Sequence, residues 1–224
     1  MPRRRRMLSV GQPCHCVNRG QDGRALFVED TQFQHFIDLM AEGKRRYPVR
    51  IYAYCLLSNH FHLLMSQRED KAVSAYMQWV QGRYGFNLRY DDLTLGQGHV
   101  YQRRFWSEVI GFGPWHFINV QRYIEANPLV AGLVTRAEHW KWNSLWERET
   151  HGRSLLDASP LLLPDDWLDQ VNKRPLLSND SRPEGFVPEG SDPFPIDETD
   201  EKGSDPSTSR RRHGRSRALL PGTE

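Results

Sequence analysis

Hydrophobic and polar positions change period several times along the first part of the chain. Cys14 to Asn18 reads as a short strand entered from Pro13, and Asn18-Arg19-Gly20 turns the chain. Phe33, Phe36, Ile37 and Met40 recur at helical spacing. They predict a helix that begins near Asp30 or Thr31 and is stopped by Pro48. Val49, Ile51, Tyr52 and Tyr54 mark a β-rich run from Val49 to Leu57. Ser58-Asn59 reads as a tight turn, and His60 to Met65 as the return strand of a hairpin. Val73, Tyr76, Val80 and Tyr84 line one side of a second helix, from about Lys71 to Arg89. A loop from Asp91 to Gly98 leads to an expected strand from Val100 to Ile110. Gly113-Pro114 opens a third helix, expected to end near Ala126 before Pro128. Helices alternating with strands around one sheet predict an α+β fold of ferredoxin-like type. Its antiparallel sheet would have four or five strands with helices packed on it. Trp140, Trp142 and Trp146 are expected to pack at the far end of this domain.

The pattern fades beyond Lys173. The remaining stretch holds 7 of the 14 prolines but only two aromatic residues, Phe186 and Phe194. Nine acidic residues fall between Asp180 and Asp205, and five arginines follow between Arg210 and Arg217. Such a stretch buries too little apolar surface to offset chain entropy, so it is expected to be disordered. It reads as a spacer or as an extension of a binding footprint. The expected organisation is a basic arm over residues 1–9, a folded domain over 10–150, an extension over 151–172 and a tail over 173–224.

Charge excludes little on its own. The 224 residues carry a formal net charge of +2, so any nucleic-acid-binding surface must be local. No apolar run approaches the roughly 18 residues of a membrane span, and nothing after Met1 reads as a secretory signal. Three cysteines make no disulfide framework, which points to a reducing cytoplasm. Cys14 and Cys16 share a strand face, but no second CxxC pair completes a zinc site, and His15 between them faces the other way.

Residues two apart on a strand point to one side, so His60 and His62 share a face while Phe61 and Leu63 share the other. Two neighbouring imidazoles can ligate one divalent metal, or can simply lie exposed on a hairpin edge. His116, Asn119, Tyr123 and Asn127 fall on one face of the third helix, beside an apolar stripe of Phe117, Val120 and Ile124. Asn127 offers an amide oxygen suited to a hard cation. The same helix is also readable as one whose tyrosine caps the core and whose asparagine ends the helix.

These residues resemble a known family. His60-Phe61-His62 matches the His–hydrophobic–His signature of the HUH transposases. The flanking run from Tyr54 to Leu64 resembles the single-tyrosine branch, specifically the REP-associated tyrosine transposases. The resemblance starts at His15-Cys16-Val17-Asn18-Arg19-Gly20 and resumes at Tyr101-Gln102-Arg103-Arg104-Phe105. It continues from Arg122 to Val134, closes at Trp140-Lys141-Trp142-Asn143-Ser144-Leu145, and covers roughly residues 10 to 150. Trp106 departs from the basic residue expected there, and Asn143 from a serine.

The resemblance implies an HUH endonuclease fold and a metal-dependent attack of a tyrosine on single-stranded DNA. Tyr123 would be the nucleophile, and His60, His62 and Asn127 would hold Mg²⁺ or Mn²⁺. The product would be a 5′-phosphotyrosine and a free 3′-hydroxyl. The expected partner is single-stranded or hairpin DNA. Arg3, Arg4, Arg5, Arg6, Arg19, Arg103 and Arg104 are candidates for contacts to its backbone. Tyr101, Phe105 and Trp106 can stack on bases or pack in the core. The arginine run can equally be a solubilising terminus. The protein would act as a monomer or a homodimer. A catalytically silent repeat-binding protein, a relaxase or replication initiator, and a metal hydrolase are the competing readings.

Overall fold

The computed structural model describes residues 8–91, 98–111, 113–152 and 155–173. Four strands form one antiparallel sheet: β1 (Pro13–Arg19), β2 (Val49–Leu56), β3 (His60–Gln67) and β4 (Trp106–Val109). Their spatial order is β2-β3-β1-β4, that of the ferredoxin-like fold the sequence predicts. Helices α1 (Asp30–Arg46) and α2 (Ala72–Asp91) cross between strands, and α3 (Pro114–Val130) follows β4. Two short helices, α4 (Ser144–Thr150) and α5 (Trp167–Asn172), come last.

Helix α1 starts where its capping chemistry allows. The Glu29 side chain accepts from the backbone one turn on, and Gln32 reaches back to the Glu29 backbone. That reciprocal pair satisfies two of the N–H groups a helix start leaves unpaired. Lys44, Arg45 and Arg46 close the last turn, where cations complement the helix dipole.

One face of the sheet carries Cys14, Cys16, Leu56, Phe61, Leu63 and Met65. It packs against Phe36 and Met40 of α1 and Tyr76, Val80 and Tyr84 of α2, all buried. Each such side chain contributes about 1.5–3 kcal/mol by leaving water. The other face carries Cys55, Ala53 and Leu64 and receives α3 through Phe117, Val120 and Ile124. A bulge in β2 makes the two-sided arrangement fit. The register against β3 shifts between Ile51 and Ala53. Tyr52 and Ala53 therefore both join the α3 side, while Ile51 and Tyr54 join the other.

Two expectations need correction. The strand expected from Val100 to Ile110 is confined to Trp106–Val109. Tyr101 makes only an isolated bridge to Gly20, and the chain bends through Gln102, Arg103 and Arg104. The Asn18 amide donates to the Arg103 carbonyl at 3.2 Å, so a side chain takes up a group that a ladder would have used. Helix α3 runs past Pro128 to Val130 rather than ending near Ala126. A proline so close to the end removes only the bond its missing N–H would make one turn back. The helix closes with Ala131 N–H donating to Asn127 O and Leu133 N–H to Pro128 O.

Residues 155–173 return to the sheet and to α3. The Asp157 carboxylate accepts from Ile51 N–H at 2.8 Å and pairs with Lys44 at 2.6 Å. Trp142 is buried against Phe33, with ring centroids 5.0 Å apart, as the tryptophan cluster predicts. The other two tryptophans are half-buried. Among the described residues, no helix is long and apolar enough to cross a membrane.

Candidate active site

The strand alternation read from the sequence sets one side of the site. Phe61 turns into the core against Phe36, with ring centroids 4.9 Å apart. His60 and His62 turn the other way, their ring centroids 5.0 Å apart. Strand β1 lies alongside, with Arg19 opposite His60 and Val17 opposite His62. Gly20 follows in the turn, where a Cβ would lie 2.1 Å from the Arg24 carbonyl oxygen, so no larger residue fits there.

Helix α3 supplies the other side. Its apolar stripe seats it on the sheet, and the half-buried Tyr123 comes to rest over β1 and β3. The Tyr123 ring centroid is 5.7 Å from that of His62, edge to face. Asn127, one turn on, is buried, and its amide donates to the Tyr123 backbone carbonyl at 3.5 Å. Of the four residues expected on this helix face, Tyr123 lies at the histidine pair, with Asn127 one turn on. His116 instead accepts from Gly111 N–H at 3.2 Å, at the start of the helix.

A residue assigned no part in the sequence reading belongs here. His15 is buried, and its Nε2 lies 2.9 Å from His62 Nδ1. The two imidazoles stack with centroids 5.1 Å apart. Trp106 and Tyr123 meet the His15 ring edge-on at 5.9 and 6.2 Å. The available signal was the alternation itself. His15 faces away from Cys14 and Cys16, which lie in the opposite core with their sulfurs 3.7 Å apart. Which strand pairs with β1 was the missing fact. Both cysteines are buried and free of disulfides, and among the described residues no three His, Cys, Asp or Glu side chains cluster to hold a metal.

Burial governs the electrostatics. It lowers the pKa of His15 to about 3. Burial, with the Arg19 cation adding to it, lowers His60 to about 4. His62 is pushed well down by burial and by its two histidine neighbours. All three rings are therefore neutral at pH 7, the form that ligates metals. Burial also raises the Tyr123 phenol above its usual 10, while a hydrogen bond from the Asn127 side chain pulls it back.

The donor set fits a divalent cation. His60 Nδ1 lies 2.7 Å from the Asn59 amide oxygen, which fixes the proton there and leaves the Nε2 lone pair for a ligand. His62 Nε2 is fully buried without a hydrogen-bond partner, the condition a bound cation would relieve. Asn127 adds an amide oxygen on the facing helix.

The expected DNA contacts divide. Arg3, Arg4, Arg5 and Arg6 lie outside the described residues. Arg103 and Arg104 are exposed, and Arg19 sits beside His60. Phe105 belongs to the core, and the Tyr101 hydroxyl is buried. Trp106 is the half-buried aromatic that reaches the histidine side.

Known proteins resemble this chain in sequence and in fold. A REP-associated tyrosine transposase, provisionally so named, from Haemophilus influenzae is 25% identical over 129 residues. The match covers 54% of this chain and 68% of that protein. The solved structure of a REP-associated tyrosine transposase bound to a REP hairpin superposes with a TM-score of 0.56. It covers 74% of this chain and 96% of its own at 20% identity, a likeness of fold. The sequence model of the family described as "Transposase IS200 like" matches residues 11–127, which include the histidine strand, Tyr123 and Asn127. Matching more than half of the chain, it places the protein in the family of IS200-like transposases.

Proposed function

We propose that the protein nicks and rejoins single-stranded DNA through a covalent link to Tyr123, acting on hairpins formed by repeated sequences. The observation that carries this reading is the meeting of Tyr123 with His62 at 5.7 Å, on a helix that also presents Asn127.

In the forward step the Tyr123 oxygen attacks the scissile phosphorus. The bond from phosphorus to the 3′-oxygen breaks, and the 5′-phosphate remains on the tyrosine. The phenol loses one proton and the leaving 3′-oxygen gains one, so the exchange balances. The link preserves the phosphodiester energy, so attack by a 3′-hydroxyl reverses the step without a nucleotide cofactor. His60, His62 and Asn127 are the residues that would hold Mg²⁺ or Mn²⁺, and imidazole donors favour Mn²⁺. Such a cation supplies charge neutralisation at the scissile phosphate when bound. Burial of His62 and Asn127 keeps these donors in place and excludes bulk water from one side of the phenol. Arg19 offers a cation to the DNA backbone beside His60, and Trp106 an aromatic surface for an unpaired base. One chain carries every one of these groups, so a monomer suffices. The cytoplasm, where cysteines stay reduced and DNA is at hand, is the proposed compartment.

The test is a denaturing gel of labelled hairpin DNA incubated with the protein and Mn²⁺ or Mg²⁺. A metal-dependent, protein-linked band is expected from the wild type. Tyr123→Phe should give none while binding the hairpin with an affinity within about twofold. An adduct that survives this substitution rules out Tyr123 as the nucleophile. Tight hairpin binding with no adduct from the wild type would instead identify a catalytically silent DNA-binding protein.

A further inference from the structure

Nothing in the reaction above uses His15, yet it is the most closely coupled neighbour of the histidine pair. It is 7% exposed, stacks on His62, and is walled by Trp106 and Tyr123. Its Nε2 lies 2.9 Å from His62 Nδ1. Two nitrogens at that distance share a single proton, so one ring donates and the other accepts.

The two possible arrangements differ at the far side of His62. If His15 Nε2–H donates, His62 carries its own proton on Nε2. That N–H would then be buried with no acceptor, since His62 Nε2 has no partner. A stranded buried donor costs about 1–3 kcal/mol. If His62 Nδ1–H donates to His15, the Nε2 of His62 is a bare lone pair. Asn59 imposes the same tautomer on His60 by accepting at its Nδ1. Both strand histidines would then present Nε2 lone pairs, each fixed by an acceptor behind it.

We propose that His15 is a positioning residue: it accepts the Nδ1 proton of His62 and so fixes the tautomer and ring orientation in which Nε2 can ligate the divalent cation. This rests on the reading of His62 as a metal ligand. With Nε2 committed to His62, His15 acts through that ring and is not itself a ligand. Trp106 and Tyr123 restrain the His15 ring so that the acceptor stays aligned.

Two measurements on the full chain test this. The first is the ¹⁵N shift pattern of the imidazoles in the metal-free wild type, which distinguishes Nδ1–H from Nε2–H. His62 should be the Nδ1–H tautomer; an Nε2–H tautomer overturns the proposal. The second is Mn²⁺ affinity, read from the electron paramagnetic resonance of free Mn²⁺. His15→Leu, which lacks an acceptor, should bind Mn²⁺ about 10–100-fold more weakly, the usual cost of losing such a support. His15→Gln, whose amide oxygen can accept at the same reach, should stay within about threefold of wild type. Equal affinity in wild type and His15→Leu overturns the role while leaving the metal site intact. A wild type that binds no Mn²⁺ removes the metal reading of the site and this role with it. Should His15→Leu fail to fold, the tautomer and the glutamine variant still decide. A glutamine variant that binds Mn²⁺ about 10-fold or more weakly than wild type refutes the acceptor role.

Discussion

Three histidines packed together within a protein create a liability that the residue scale makes visible. His15, His60 and His62 titrate lower in the folded chain than in the unfolded one, where each sits near 6.5. Above that value neither state takes up protons at these rings, and stability does not depend on them. Below it the unfolded chain gains protons that the folded chain refuses until about pH 4 for His60 and about pH 3 for His15. Stability therefore drops by up to roughly 1.4 kcal/mol per pH unit for each ring, less for the partly exposed His60. The metal-free protein should show a melting temperature that declines steeply between pH 6.5 and 4. A flat profile there would mean that the rings are less buried than described. Burial thus keeps the imidazoles neutral and able to ligate, at the expense of acid stability.

At the scale of elements, the crossing of α1 and α2 depends on one glycine. A Cβ on Gly43 would come 2.8 Å from the Tyr76 ring and 3.1 Å from Val80. Tyr76 cannot retreat easily, because it is fully buried and its hydroxyl donates to the Met40 carbonyl at 3.2 Å. Alanine would gain about 1 kcal/mol in helix propensity but would overpack a closed interface, which costs about 1–3 kcal/mol. Gly43→Ala should lower the urea midpoint with an unchanged slope. An increase in the midpoint would show that the helices can spread apart without penalty. The two helices pack on the sheet face opposite His60 and His62.

Across the whole molecule, the last described segment is tied to the helix that carries Tyr123. Glu125 is fully buried, and its carboxylate accepts from Ser144 at 2.7 Å and from Trp167 at 2.7 Å. It also pairs with Arg148 at 3.0 Å, and Asn143 donates to its backbone carbonyl at 2.7 Å. Arg122 donates to the Gln170 carbonyl at 2.7 Å from the same helix. Glu125→Ala would leave the buried indole N–H of Trp167 and the buried Ser144 hydroxyl without their acceptor, and would remove the charge partner of Arg148, which keeps its bond to the Tyr52 carbonyl. Breaking a buried pair from one side costs about 3–5 kcal/mol. Chemical denaturation should show a loss of that size, and a loss below about 1 kcal/mol would mean that water reaches the network. Glu125 lies between Tyr123 and Asn127 in sequence, so the network that stabilises the fold also holds α3 against the sheet.

Much of this was legible before any coordinates. The alternation of β3 assigned His60 and His62 to one face, and the helical spacing of α3 grouped Tyr123 with Asn127. Those are local patterns, set by the two- and 3.6-residue periods of the backbone. The match of motifs in order pointed to the family that the comparisons then identified. Other features escaped local reading. The expected long strand before α3 is short because Asn18, far away in sequence, takes up the Arg103 carbonyl. Tyr101 and Phe105 go inward while Trp106 reaches the histidines, the separation a period of two gives, but which of the two sets faces the site is not a local property. The alternation turned His15 away from Cys14 and Cys16, but its neighbour His62 was fixed only when β1 was placed beside β3. Contacts between strands are chosen by the packing of the whole sheet, and burial, with the pKa shifts it causes, exists only once that sheet has closed. The chemical groups and their local facing therefore belong to the sequence. Their neutrality, their partners and the acceptor behind His62 arise from tertiary packing.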